Sequence, residues 1–203
     1  MISHKHKCIF IHIPRTAGTS IEEWIEGLDW WRIKKETKHL LASQAKEIYS
    51  EYWEDYFKFS FVRNPWDRMV SMLKYSSFYG VYVNPQKKHV DCSKYLEKYG
   101  TPITVEYDHR FYDTKNLNKK QHKPNCVYGN ILDEDLDFIG KFEDLKKDCS
   151  FLKSKLNIDN DFNIHAEDHK TRSNCYRDYY TEESKNLIGD LYKEDIKFFK
   201  YHF

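Results

Sequence analysis

The amino-acid sequence predicts an α/β fold of three layers with a central, mostly parallel sheet. Three observations carry this expectation. Two short apolar runs, residues 8–13 and 57–62, are rich in β-branched and aromatic residues; a helix signal follows each directly; and strand-like and helix-like segments alternate along the 203 residues. That length fits one domain, residues 1–203.

The first run, CIFIHI at 8–13, is bounded by Pro14 and suits a buried parallel strand. Thr19 with Glu22, or Ser20 with Glu23, has the spacing of a capping box, so a helix should open near Thr19 and close near Gly27. A second helix is expected over 43–56 and a second strand, FKFSFV, over 57–62. Asn64 can cap, and Pro65 can begin, a helix reaching about Phe78, with Met69, Leu73 and Ser76 on a packing face and Arg68, Ser71 and Tyr75 on a face that can meet a ligand. From Tyr79 to Asn130 the pattern weakens around one short helix at 93–99. A strand near 137–142, a helix over 145–156 and a last helix over 181–199, with Ile188, Tyr192, Ile196 and Phe199 facing the core, complete the alternation.

Composition narrows the function. The 33 basic and 32 acidic residues leave a formal charge of +1, so no global field argues for nucleic acid or a membrane surface as partner. The five cysteines form no CxxC pair or metal-type cluster and read as reduced thiols. The longest early apolar run is far below the ~20 residues that span a bilayer, and no targeting segment is visible, which points to the cytoplasm. Nothing in the residue pattern sets an oligomeric state.

Ligands of parallel α/β sheets bind at the carboxyl ends of the strands, and two strands here end in residues suited to anions. The first loop runs from Pro14 through Arg15, Thr16, Ala17, Gly18 and Thr19 to Ser20. Gly18 permits close backbone approach, the helix start supplies N–H groups, and Arg15, Thr16, Thr19 and Ser20 add charged and hydroxyl donors, together a cradle for a phosphate-like group. It lacks the earlier glycine and the lysine of GxxxxGK[ST], which disfavours nucleoside triphosphate hydrolysis. In the second segment Arg63 ends a strand and Ser71 lies about two turns into the next helix, a guanidinium fork and a hydroxyl for a second phosphate. Two anion sites at successive strand ends imply a ligand carrying phosphates at both ends of a nucleoside.

The segments FIHIPRTAGTSI (10–21) and FSFVRNPWDRMVS (59–71) resemble the two donor-binding motifs of the sulfotransferases that use 3′-phosphoadenosine 5′-phosphosulfate (PAPS), in the branch that holds Golgi carbohydrate sulfotransferases and many short bacterial members. DFIGKFEDL (137–145) resembles a later family segment, and YRDYY (176–180) through DIKFFKY (195–201) resembles its C-terminal helix, so the likeness misses only about residues 80–120. It implies a P-loop, nucleotide-kinase-like sulfotransferase fold that works without a metal. Residues 14–20 would hold the 5′-phosphosulfate of PAPS, and Arg63 and Ser71 the 3′-phosphate that remains on the product PAP. Two departures stand out: the family's usual loop lysine is Arg15 here, and its acceptor-side PQ pair is Pro124-Asn125.

Sulfuryl transfer asks the protein to position reactants and to stabilise charge on the leaving phosphate, work that falls to Arg15 and the loop amides. The acceptor hydroxyl, on a carbohydrate or a small-molecule alcohol, needs a base. Among ten histidines His39 is the choice, because its place between the two motifs resembles that of the family's catalytic histidine; the plainer reading is a surface histidine ahead of a helix. His12 reads as buried and hydrogen-bonded, and His122, His165 and His169 as exposed loop residues or acceptor contacts. Lys170 and Arg172 can close over the 3′-phosphate or simply be solvated, Glu143 can orient an acceptor or sit at a helix start, and Trp66, Tyr75 and Tyr176 can stack on the nucleotide or pack. Two rival functions remain open, an ATP-dependent kinase-like phosphotransferase and a non-catalytic nucleotide- or sulfated-glycan-binding protein.

Overall fold

A computed structural model of the chain describes residues 1–77, 123, 125–163 and 175–203. Packing contacts divide the chain into two compact units, Met1–Arg63 with Ile131–Asp168, and Asn64–Asn130 with His169–Phe203.

The first unit is built on a four-stranded sheet in the order β1-β2-β3-β4. Strands β2 (Cys8–Ile11), β3 (Phe57–Val62) and β4 (Phe138–Lys141) run parallel, and the two-residue β1 (Ile2–Ser3) pairs antiparallel with β2. The register sets Phe10 beside Phe59 and Phe61 beside Gly140. All four residues of β2 are buried, as both faces of a covered parallel strand must be. Phe10 and Phe59 stack at 4.9 Å, and this aromatic seam joins Ile21 and Ile25 of helix α1 (Gly18–Glu26) and Leu145, Cys149, Leu152 and Leu156 of a helix spanning Leu145–Leu156 in one core. The four residues of that later helix recur every three or four positions, which explains why periodicity located it to the residue.

Between α1 and β3 lie α2 (Trp30–Lys34), α3 (Ala42–Ile48) and α4 (Ser50–Trp53). The single helix expected over 43–56 is thus two, broken at Tyr49, which is buried and leaves helical geometry at φ −110° and ψ 27°.

In the second unit, helix α5 (Pro65–Ser77) starts as expected, with Asn64 Oδ1 accepting from the Trp66 N–H at 3.1 Å. Helices α6 (Tyr128–Ile131), α7 (Leu145–Leu156, of the first unit), α8 (Glu182–Leu191) and α9 (Lys193–Phe199) follow in chain order. Two expectations are corrected here. The last helix is interrupted at Tyr192, whose fully buried hydroxyl accepts from Arg68 at 2.7 Å. Arg68 therefore does not face a ligand: it is buried in its own unit, also within cation–π distance of Tyr128. Asp195, likewise buried, accepts backbone N–H bonds from Tyr128 and Gly129 at 3.1 and 3.0 Å and a further one from Val127, tying the start of α6 to α9. The helix expected at 93–99 lies outside the described residues.

Gly140 is required by contact: a Cβ there would lie 2.4 Å from the Phe61 ring across the ladder. Gly140→Ala should lower stability by about 1–3 kcal/mol in urea unfolding, as overpacked cores do. An unchanged midpoint would contradict this packing.

Candidate functional site

In the first unit, the carboxyl ends of β2, β3 and β4 lead into the 14–20 loop, Arg63 and Phe142. After β2 the chain passes through His12 and Ile13 into the loop, where Arg15 and Ala17 adopt left-handed conformations, φ 69° and 67°. Non-glycine residues in that region cost roughly 1–3 kcal/mol each and persist only where the surroundings impose them. Left-handed residues alternating with ordinary ones turn successive N–H groups inward, the nest that binds anions in phosphate loops.

Gly18 has a negative φ, and its role is steric. A Cβ there would lie 2.0 Å from the His12 ring, so the imidazole packs directly on the helix start. Because Ala17 turns the chain into α1, the helix begins at Gly18 and receives no side-chain cap. The expected capping box is therefore absent: Thr19 already lies inside the first turn, and Glu22 points into the core. The uncapped N–H groups of that turn open on the loop, where they favour an anion.

Glu22, fully buried, is the centre of a charged cluster. Its Oε1 accepts from His12 Nδ1 at 2.7 Å, while Oε2 accepts from Lys38 Nζ at 2.7 Å and the Trp30 N–H at 3.2 Å. Lys38, 1% exposed, also donates to Asp29 Oδ1 and, at 3.3 Å, to the hydroxyl of Thr19 in the cradle. Sequence reasoning missed Lys38 and misplaced Glu22. A lysine next to a candidate histidine was a usable signal; its carboxylate partners are set by tertiary packing.

His39 is buried, which overturns the surface reading. Its Nδ1 lies 3.1 Å from the His12 carbonyl oxygen. A carbonyl only accepts, so Nδ1 carries the proton and Nε2 the lone pair. Burial pushes His39 well below the usual histidine range, and the neighbouring His12, 4.4 Å away between ring centroids, adds to the shift. His12 is lowered in the same way, first by burial and then by the Lys38 charge. It sits just past β2 rather than within it, buried and hydrogen-bonded as the sequence suggested.

Arg63, at the end of β3, is 3% exposed. Its guanidinium lies 4.0 Å over the Phe142 ring, just past β4, and Nη1 donates to the Arg15 carbonyl at 3.1 Å. Arg63 thus meets the 14–20 loop within the first unit. Thr16 is buried, and its hydroxyl proton goes to the Ile13 carbonyl at 2.8 Å, so the hydroxyl serves the loop rather than a ligand. Pro14 and Arg15 are half-buried, and Ser20 is buried. Ser71 is half-buried on α5, in the second unit. Trp66 packs there, its indole N–H on the Lys185 carbonyl at 2.9 Å, and Tyr176 lies against Phe203. Glu143 is exposed on a turn of 3-10 helix between β4 and α7. Arg172, Lys170, Pro124, His122, His165, His169 and the Tyr75 side chain lie outside the described residues.

A groove of ≈ 550 Å³, lined by Lys5, Lys7, Phe57, Lys58 and Lys155 among others, opens at the amino ends of the strands, away from this chemistry. Among the described residues no group of three or more His, Cys, Asp or Glu can hold a metal ion, and no helix is long and apolar enough to cross a membrane.

A model of the sulfotransferase family matches residues 1–202, and the chain belongs to that family. No curated protein and no solved structure gives a significant match.

The two neutral histidines make stability depend on pH. Their folded pKa values lie below the unfolded value of 6.5, so the unfolded chain binds more protons on acidification: this contribution is complete above pH 6.5 and is lost as pH falls. Between about pH 6.5 and 5, wild type should lose stability more steeply than His39→Gln, by up to about 1.4 kcal/mol per pH unit. Equal slopes in denaturant titrations would contradict a buried, neutral His39.

Proposed function

We propose that the chain is a PAPS-dependent sulfotransferase that moves a sulfuryl group to a hydroxyl of a carbohydrate or small-molecule alcohol and releases PAP. One observation carries the reading: the guanidinium of Arg63 donates to the backbone of the 14–20 loop, which supports a single anion-binding surface shared by the two family motifs. The alternating left-handed loop, the uncapped α1 start and two arginines fit a ligand rich in phosphate oxygens. The family likeness further assigns the 3′-phosphate to Arg63 with Ser71, and it implies the nucleotide-kinase-like three-layer fold.

PAPS supplies an activated sulfuryl group on a 5′-phosphate leaving group. The backbone N–H groups of residues 14–20 and Arg15 would stabilise the charge left on that phosphate, as preorganised donors do best in a site that excludes water. His39 would accept the acceptor's proton at Nε2. Being neutral, it is ready to do so, and its Nδ1–H bond to the His12 carbonyl fixes the tautomer. The acceptor class rests on the family likeness alone. The cytoplasm is proposed as the compartment, in keeping with the free thiols Cys8, Cys126, Cys149 and Cys175.

Saturating PAP or PAPS should raise the melting temperature by about 5–10 °C, with little response to ATP. Arg63→Ala should abolish the shift. His39→Ala should keep it and lower turnover by about 10²–10⁴-fold. A shift with ATP and magnesium but none with PAP would favour a kinase-like enzyme, and full turnover by His39→Ala would remove it as the base.

A further inference from the structure

Lys38 carries a full charge into a site where it cannot touch a ligand, being 1% exposed behind the loop. An ammonium has three protons, and here they find three acceptors: Glu22 Oε2 at 2.7 Å, Asp29 Oδ1, and Thr19 Oγ1 at 3.3 Å. Two of the three are carboxylates, which account for charge compensation. The third is a neutral hydroxyl in the first turn of α1, beside the cradle, and neutralisation does not require it.

A hydroxyl that accepts from an ammonium keeps one proton to give. Threonine inside a helix often gives that proton to the carbonyl four residues back. Here that carbonyl belongs to Arg15, and it accepts from Arg63 instead. Among the described residues, the hydrogen bond from Lys38 is the only one at the Thr19 side chain. Chained hydrogen bonds polarise one another, so a hydroxyl held this way is a stronger donor than a solvated one.

We infer that Lys38 is a positioning residue that acts through Thr19: by occupying a lone pair of the hydroxyl it aims the Thr19 proton at the bound phosphate group and strengthens it as a donor. Glu22 and Asp29 hold the ammonium in place, and Glu22 in turn is fixed by His12, the residue on which Gly18 packs. The cradle thereby gains the effect of a third cation without a third cation at its surface. The inference rests on the donor reading above.

The test is a double-mutant cycle on PAP affinity, measured by calorimetric titration of wild type, Lys38→Met, Thr19→Val and the double variant. Each single change should weaken PAP about 10-fold, and the double should be no weaker than the weaker single, because both remove the same donor. Thr19→Ser, which keeps the hydroxyl, should restore the dependence on Lys38. Losses that multiply to about 100-fold in the double variant would overturn the relay and leave the donor reading standing. Wild type that fails to bind PAP would overturn both. Lys38→Met strands two carboxylates and can unfold the chain, so Lys38→Arg is the second variant. Its planar fork keeps the charge but cannot serve three divergent acceptors, so it should retain the melting profile and lose PAP affinity only where residue 19 bears a hydroxyl. Equal losses from Lys38→Arg with and without the Thr19→Val change would overturn the relay.

Discussion

A fully buried carboxylate is tolerable only when its oxygens are matched by donors, and Glu22 meets that condition with the His12 imidazole, the Lys38 ammonium and the Trp30 amide. This arrangement anchors one side of the loop. Oε1 holds the His12 ring where it packs on Gly18, at the start of α1 beside the left-handed Ala17. Oε2 holds Lys38, and with it the backbone that carries His39. A buried pair of this kind adds little net stability over an apolar substitute, yet breaking it by removing one partner is costly. Its contribution here is geometric: loop, candidate base and Lys38 occupy one set of positions relative to one another.

The second fixed point is Arg63. Its burial between the Phe142 ring and the Arg15 carbonyl immobilises a side chain that is ordinarily among the most mobile. In the proposed reaction, charge builds on phosphate oxygens. Donors oriented before the reaction stabilise that charge more than donors that must reorganise. The left-handed residues Arg15 and Ala17 are strained, and the Arg63 bond to the Arg15 carbonyl helps to hold the loop in place.

Much of this was legible in the sequence where local pattern and tertiary context agree. The strand at Phe57–Val62 and the helix at Leu145–Leu156 stand where patterning placed them, because each buries its own apolar residues at its own period. The loop, its arginine and the buried His12 could be read from residue type. The misreadings share a cause in long-range contact. Thr19 and Glu22 match a capping box by spacing, but the Ala17 turn shifts the helix start and the core claims Glu22. Arg68 sits on a face that spacing marks as polar, but Tyr192, far along the chain, buries it and breaks the last helix. Strand β1 is two residues long, too short for any periodicity to show. Lys38 stayed hidden because nothing local tells a lysine held by two remote carboxylates from a solvated one.

In the proposed function, residues 14–20 and Arg63 form one seat for a nucleotide bearing phosphates at its 5′ and 3′ positions. A crystal structure with PAP tests it most directly. The 5′-phosphate should lie on the N–H groups between Arg15 and Ser20, and the Arg63 guanidinium on the 3′-phosphate. PAP bound elsewhere, or seated with Arg63 turned away from both phosphates, would contradict it.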